Sequence, residues 1–383
     1  MILASLGPRE RELVEFAQRL VATPSLPGRE RAVSVLVAAK LRELGYREVS
    51  IDEHGNVVGT FGAGSPALMF NGHLDHVPPA GMDDPYGAQF VDGSRWSEAG
   101  VALRGRGSCD MKANVAAGAF APAFLAGDRL RRAYLFTADV REELDGPEGI
   151  QSMLARGLRA DHGLSGEATG LGVALGHRGK LQLDVVVSGR SSHAGAPERG
   201  ENAVYCAVPF LAALEHHQAV LRADPLFGPA TVTVTGIRSS PEGDVAVVPS
   251  ACTIRVDRRY LPGETPEASR AELEALVARV VAAHGTPAEV RAVNVYPLMR
   301  TAADHPLVAV AADAVRSVTG REPRLIAWRF GVNATFMSAA GIPSIGIGPG
   351  DERYAHTAEE HVPVAELAQA SRIYAALIAK LCA

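Results

Sequence analysis

The sequence offers side chains able to hold metal ions or move protons at several separate places. Asn71-Gly72-His73-Leu74-Asp75-His76-Val77-Pro78 follows a short apolar run. A histidine at a strand end is a ready metal ligand, and a carboxylate two residues on points to the same side. Asp75 could there accept the second ring N–H of His73 and fix its tautomer, although a plain polar loop after a strand reads similarly. Gly105-Arg106-Gly107-Ser108-Cys109-Asp110-Met111-Lys112 has the glycines of a phosphate loop without the GxGxxG or Walker spacing. Asp110, at the end of that glycine-rich turn, could bridge two cations through its two oxygens. Cys109 has no cysteine near it in sequence and reads as a small turn residue. Glu142-Glu143 follow another apolar run. Adjacent glutamates are commonly a solvated face, yet a hydrolytic metal site needs one carboxylate as ligand and a different one as free base. Glu167, in Ser165-Gly166-Glu167-Ala168-Thr169, and His356, in Tyr354-Ala355-His356-Thr357, are further candidate ligands. Mixed nitrogen and oxygen donors suit zinc, with cobalt or manganese as alternatives, and two such ions close together suit hydrolysis.

These residues need strands to present them. Ala67–Phe70 and Ala133–Thr137 are apolar runs too short for helices, each ending where polar residues begin, as buried strands of an α/β sheet do. Val33, Val37, Leu41 and Leu44 recur at helical spacing, with Gly45 as the expected C-cap. In α/β sheets function gathers at the carboxyl ends of strands, which is where Asn71–His76 and Asp139–Glu143 fall. The texture changes near Gly176. Leu181, Leu183, Val185 and Val187 alternate with polar residues as in a half-solvated strand. A helix over Ala203–Leu221, strands over Thr231–Gly236 and Ala251–Tyr260, and a helix over Pro266–His284 follow, the order of a small α+β insert. From about Val293 the α/β texture returns, with a helix near Pro306–Val318 and an apolar run at Pro343–Ile347.

Composition narrows the classes. The chain has 383 residues, is 47% hydrophobic and 21% charged, and carries a formal net charge of −5, which argues for a large core and against a nucleic-acid footprint. Cys109, Cys206, Cys252 and Cys382 lie far apart, so neither a disulfide framework nor a cysteine-rich zinc site is expected. The opening Met1-Ile2-Leu3 leads into Pro8-Arg9-Glu10 without signal-peptide character, and no apolar run has membrane-spanning length. A cytoplasmic protein with no membrane or nucleic-acid partner is the expectation. A Rossmann oxidoreductase lacks its glycine fingerprint, and a serine hydrolase lacks a G-x-S-x-G elbow.

The motifs GHLDHVP (72–78), GRGSCDMK (105–112), REELDG (141–146), SGEAT (165–169) and AHTAEE (355–360), with SSHAGAPERGENA (191–203) and VDRRYLPGE (256–264) in the insert, run unbroken along the chain. In these the sequence resembles the co-catalytic zinc hydrolases that include acetylornithine deacetylase, succinyl-diaminopimelate desuccinylase, aminoacylase and glutamate carboxypeptidase. The stretches around Ser239-Ser240-Pro241-Glu242 and Asp257-Arg258-Arg259 look most like a branch carrying peptidase or selenium-metabolism hydrolase names. The resemblance implies a zinc-peptidase-like α/β catalytic domain with a central, mostly parallel sheet (residues 1–175 and 293–383). A small α+β lid or dimerisation domain (176–292) would interrupt it. It implies two Zn²⁺ ions per chain, Co²⁺ or Mn²⁺ being alternatives. Asp110 would bridge them, His73 and Glu167 would hold one, and Glu143 and His356 the other. Asp75 would orient His73, and Glu142 would be the general base acting on the attacking water and the leaving amine. A homodimer through the insert would bring His193 to the partner's site to stabilise the oxyanion, and a cis peptide would follow Asp110. Arg258, or Arg259 beside it, would bind the substrate carboxylate. His193 as a turn histidine and the arginines as solvent-facing are the alternatives. His76 reads as a loop residue rather than a ligand, and His216 and His217 as surface residues.

The chain departs from its relatives at Ala246-Val247-Val248-Pro249, where many carry an asparagine, and at Phe330-Gly331-Val332-Asn333, where Gly-Thr-Asp or Thr-Ser-Asp is common. Both segments, Asn333 included, would touch substrate. The expected activity is hydrolysis of the amide of an N-acyl amino acid, as in acetylornithine deacetylation. A dipeptidase or carboxypeptidase acting on small peptides, and a non-catalytic metal-bearing binding protein, are the alternatives.

Overall fold

In the computed structural model, which describes residues 6–96, 100–127, 130–243 and 245–383, the apolar run after Ser65 becomes the strand Pro66–His73. The opening Met1-Ile2-Leu3 lies outside the described residues. Pro66–His73 pairs in parallel with Ala133–Asp139 on one side and His162–Ser165 on the other. Ser344–Gly346 continues the parallel set beyond His162–Ser165. Antiparallel strands extend both flanks: Val57–Phe61 and Arg47–Ile51 on one, Val173–His177 on the other. The result is a nine-stranded sheet, mostly parallel at its centre.

The central strands are buried along almost their whole length, as strands in the middle of a parallel sheet are. Pro8–Val21 begins with proline at its first turn and buries Leu13, Phe16, Ala17 and Leu20 at helical spacing. Arg31–Glu43 buries Val33, Val37 and Leu41, and Gly45 takes φ +85° just beyond its end. Ala113–Phe120 is buried on every side, and Val364–Leu381 packs against it. Phe70 stacks on Phe136 with ring centroids 5.4 Å apart. This core fixes the two strands whose ends carry His73 and Asp139.

The chain divides into two compact units. The first comprises residues up to Gly176, Arg300–Ala327 and Val332–Ala383; the second comprises His177–Met299 and Trp328–Gly331. The second unit has a four-stranded antiparallel sheet in the order 231–240, 251–260, 179–188, 288–296. Leu181, Leu183, Val185 and Val187, which alternate in the sequence, are all buried, and they join Phe210 and Leu214 of the helix Ala203–Gln218 and Leu273 and Val277 of the helix Pro266–His284 in one core. The strand Ala288–Tyr296 is absent from the sequence reading. It runs through Val293, where that reading has the α/β texture resume, and pairs along Gly179–Ser188. No helix among the described residues is long and apolar enough to cross a membrane.

Candidate metal centre

His73 is the last residue of its strand, so its ring emerges where the backbone leaves the sheet. Its Nδ1 lies 3.0 Å from the carbonyl oxygen of Asp75 and 3.5 Å from the Asp75 carboxylate. A carbonyl can only accept, so Nδ1 carries a proton, and Nε2 is the ring nitrogen turned towards Asp110. The Asp75 carboxylate is engaged elsewhere. Its Oδ1 accepts the backbone N–H of Glu142 and its Oδ2 that of Glu143, both at 3.1 Å.

Asp110 stands in the turn Ser108–Lys112, entered through Gly107 at φ +79°, a backbone region in which glycine carries no side-chain penalty. The Asp110–Met111 peptide is cis. Asp110 Oδ1 is 2.8 Å from His73 Nε2, and Oδ2 is 3.1 Å from His356 Nε2. One carboxylate thus faces two imidazoles through different oxygens. Glu143 approaches His356 Nε2 to 3.0 Å, and Glu167, just past the strand His162–Ser165, lies 3.5 Å from His73 Nε2. Donor atoms of His73, Asp110 and Glu143 all fall within 4.8 Å of one another.

Glu142 and Glu143 occupy a single 3₁₀ turn after the strand Ala133–Asp139. Successive residues of such a turn diverge by about 120°, so the two side chains serve different partners. Glu143 reaches His356, while Glu142 lies in the opposing fields of His73 on one hand and of Glu167, Glu143 and Asp75 on the other.

The electrostatics follow from burying like charges together. Burial, then the neighbouring Asp110, raises the Glu167 carboxyl to about 8. Burial first, with Glu167, Glu143 and Asp75 adding, also holds Glu142 well above the ordinary carboxylate range, and Glu143 is raised by burial and Asp110. For Asp110 burial acts in the same direction, but hydrogen bonds from His356 and His73 outweigh it and keep the carboxyl low. His356 is lifted to about 10 by Asp110 and then Glu143. A cluster with more carboxylates than imidazoles, nearly all of it buried, calls for positive counter-charge. Its converging oxygens and nitrogens are the donor set that divalent ions of the zinc class take. The residues therefore fit a divalent metal.

Nearby residues behave differently. His76 is fully buried; its Nε2 accepts from Ser25 N at 3.0 Å and its Nδ1 donates to Val77 O at 2.8 Å, so neither ring nitrogen is left for a metal. Burial pushes the Cys109 thiol well up, away from thiolate chemistry. Asn333 is in the first unit, nearly buried, with Nδ2 donating to Asp139 Oδ2 at 2.7 Å.

His193 and Arg258 belong to the second unit. His193 is exposed, bridges to Val247, and accepts the N–H of Gly195 on Nδ1 at 3.0 Å. Arg258 is buried, with its fork shared between Glu272 Oε2 at 3.1 Å and the carbonyl of Arg259 at 2.6 Å. Arg259 pairs with Asp257. His217 binds Glu272 at 2.6 Å, while His216 is exposed.

Two residues that the sequence reading gave no role, Arg106 and Glu360, form a fully buried ion pair beside Asp110. Their only signal was position: each lies within four residues of a candidate ligand, in the motifs that contain Asp110 and His356.

Residues 69–380 match the profile described as peptidase family M20/M25/M40. The chain is 30% identical to the uncharacterized protein YgeY of Escherichia coli (strain K12), covering 98% of this chain and 96% of that one. It is 31% identical to acetylornithine deacetylase of Myxococcus xanthus over 90% of each. Among solved structures it is similar to aminopeptidase PepT from Bacillus cereus, with TM-score 0.77, 24% identity, and coverage of 98% of this chain and 99% of that one. With a family match over most of its length and a buried cluster of divalent-metal donors at its strand ends, the chain belongs to peptidase family M20/M25/M40 and is a metallohydrolase of amide or peptide bonds.

Proposed function

We propose that this protein hydrolyses the amide bond of an N-acyl amino acid, in the manner of an acetylornithine deacetylase, with two divalent ions per chain. Zinc is the ion of choice and cobalt or manganese the alternatives. The observation that carries the reading is the position of Asp110, whose two oxygens lie 2.8 Å from His73 Nε2 and 3.1 Å from His356 Nε2. A carboxylate so placed would bridge one ion shared with His73 and Glu167 and another shared with Glu143 and His356. The relative named acetylornithine deacetylase, similar over nine-tenths of both chains, supports the substrate class.

Bound divalent metal would supply Lewis-acid polarisation of the scissile carbonyl and acidify the attacking water. The remaining work falls to the chain. Asp75 fixes the Glu142–Glu143 backbone, and the 3₁₀ turn sends Glu142 away from the ligand direction taken by Glu143. Glu142 would take the proton of the attacking water on its carboxylate and hand it to the departing amine.

A homodimer through the second unit is part of the reading. Tyr205 and Val208 lie one turn apart on Ala203–Gln218 and are 75% and 54% exposed, a pairing on one helix face that favours a partner. His193 would then act from the partner subunit on the developing oxyanion, and Arg258 would hold the substrate carboxylate, provided that Glu272 releases its fork. The free cysteines agree with a reducing, cytoplasmic compartment.

The test is hydrolysis of a panel of N-acyl amino acids and dipeptides by metal-loaded and chelated protein. Zinc-dependent release of an amino acid from N-acetylornithine or a close analogue is the expected result. Turnover of dipeptides alone would replace deacylase by peptidase, and bound metal without any turnover would favour a binding protein.

A further inference from the structure

We propose that Arg106 and Glu360 are positioning residues that set the affinity of the metal centre, by fixing the Asp110 turn and the His356 loop with a single buried ion pair. The proposal rests on the metal-centre reading above. Glu360 Oε1 accepts two consecutive backbone N–H groups, those of Cys109 and Asp110, each at 3.1 Å. Its Oε2 takes Arg106 Nη1. Arg106 Nη2 then donates to the carbonyl of Pro79 at 3.0 Å and to that of Thr357 at 3.1 Å. Thr357 directly follows His356, and Asp110 faces both imidazoles. One ion pair therefore ties down the backbone of the residue expected to bridge the metals and the backbone beside a ligand some 250 residues away in sequence.

The burial is what makes this informative. Both residues are 0% exposed. A buried ion pair contributes little net stability compared with an apolar pair of similar volume, so core stability alone does not account for charges at this place. What a charged pair supplies, and an apolar one cannot, is acceptors for two adjacent N–H groups and donors for two carbonyls. The His356 side chain is itself half exposed, on a backbone at φ +64°, so packing does not hold it. Besides the contacts of its ring to Asp110 and Glu143, its backbone is held by the tether at Thr357, reinforced where Arg104 reaches Ala358 O at 3.2 Å. Arginine fits the role because its rigid fork spans Glu360 and both carbonyls at once, which a lysine cannot do.

The test compares wild-type protein with Glu360→Ala, Glu360→Gln and Arg106→Lys. All are stripped by chelator, and Zn²⁺ affinity is then read by competition with a chromogenic chelator. Urea unfolding of the metal-free proteins runs in parallel. Glu360→Ala and Arg106→Lys should weaken Zn²⁺ binding by about 10–100-fold. Glu360→Gln keeps an oxygen for the two N–H groups and should recover most of the loss. Arg106→Lys keeps the charge and carries the test if Glu360→Ala does not fold. Folded variants that bind Zn²⁺ within twofold of wild type would overturn the proposal, as would a loss in Glu360→Ala that Glu360→Gln does not recover. Wild-type protein that takes up no Zn²⁺ would overturn the metal-centre reading and this proposal together.

Discussion

The carboxylate of Asp75 accepts the backbone N–H of Glu142 at 3.1 Å, and its second oxygen accepts that of Glu143 at the same distance. Asp75 lies beyond the strand that ends in His73, so one fully buried carboxylate couples the His73 strand end to the glutamate turn. Its backbone carbonyl meanwhile orients the His73 ring. Replacing Asp75 with alanine should leave both N–H groups unpaired and loosen the turn, reducing kcat by about 10–100-fold. Asp75→Asn, which keeps one acceptor oxygen, should lose less. Steady-state kinetics of the two variants decide it, and equal losses would place the effect on charge rather than on backbone positioning.

Glu142 and Glu143 differ only in direction, so their variants should differ in kind. Glu142→Gln should retain bound metal while kcat falls by about 10²–10⁴-fold, the usual worth of a general base. Glu143→Gln should lose metal as well as rate. Metal content by elemental analysis, measured alongside kcat, separates the two. A Glu142→Gln protein with normal turnover would remove Glu142 from the mechanism.

The legible parts of this protein were those in which local pattern and burial agree. Ala67–Phe70 and Ala133–Thr137 read as strands because they are apolar runs bounded by polar residues, and they delivered His73 and Glu142 to their ends. Ala288–Tyr296 did not read as a strand, because it is a mostly exposed edge whose register shifts between Ala292 and Asn294 and so breaks the alternation. Glu360 and Arg106 were equally hidden. Nothing local marks either residue as buried, and they meet across some 250 residues of sequence where the strand His361–Pro363 pairs with Val101–Arg104. The destination of the Asp75 carboxylate was hidden for a related reason, since its partners come from a turn 67 residues away.

Metal removal should cost both activity and stability. The buried carboxylates of the centre repel one another, and an ion that binds only the folded chain stabilises it by mass action, about 2.7 kcal/mol at a free concentration one hundred times Kd. Chelated protein should therefore be inactive and unfold at a lower Tm, and added Zn²⁺ should restore both. Calorimetry with a zinc titration checks this. A Tm that does not move with zinc would mean that the cluster holds no ion.

Acid sensitivity should be traceable in part to His76, which lies outside the candidate ligand set. Burial, together with the positive charges of Lys112 and Arg106, lowers its imidazole to about 4. An unfolded histidine titrates near 6.5. Between those values the unfolded chain binds a proton that the folded chain refuses, so stability rises with pH across the window and falls as pH drops from 6.5 towards 4. The full difference corresponds to about 3 kcal/mol at 1.36 kcal/mol per unit. His76→Gln can still accept from Ser25 N and donate to Val77 O, but it cannot titrate. Urea unfolding of both proteins in chelator, at intervals from pH 7 to pH 4.5, should show His76→Gln less stable at pH 7 yet with a flatter decline on acidification. Parallel declines would mean that His76 takes up its proton equally in the folded and unfolded states and that the acid sensitivity arises elsewhere.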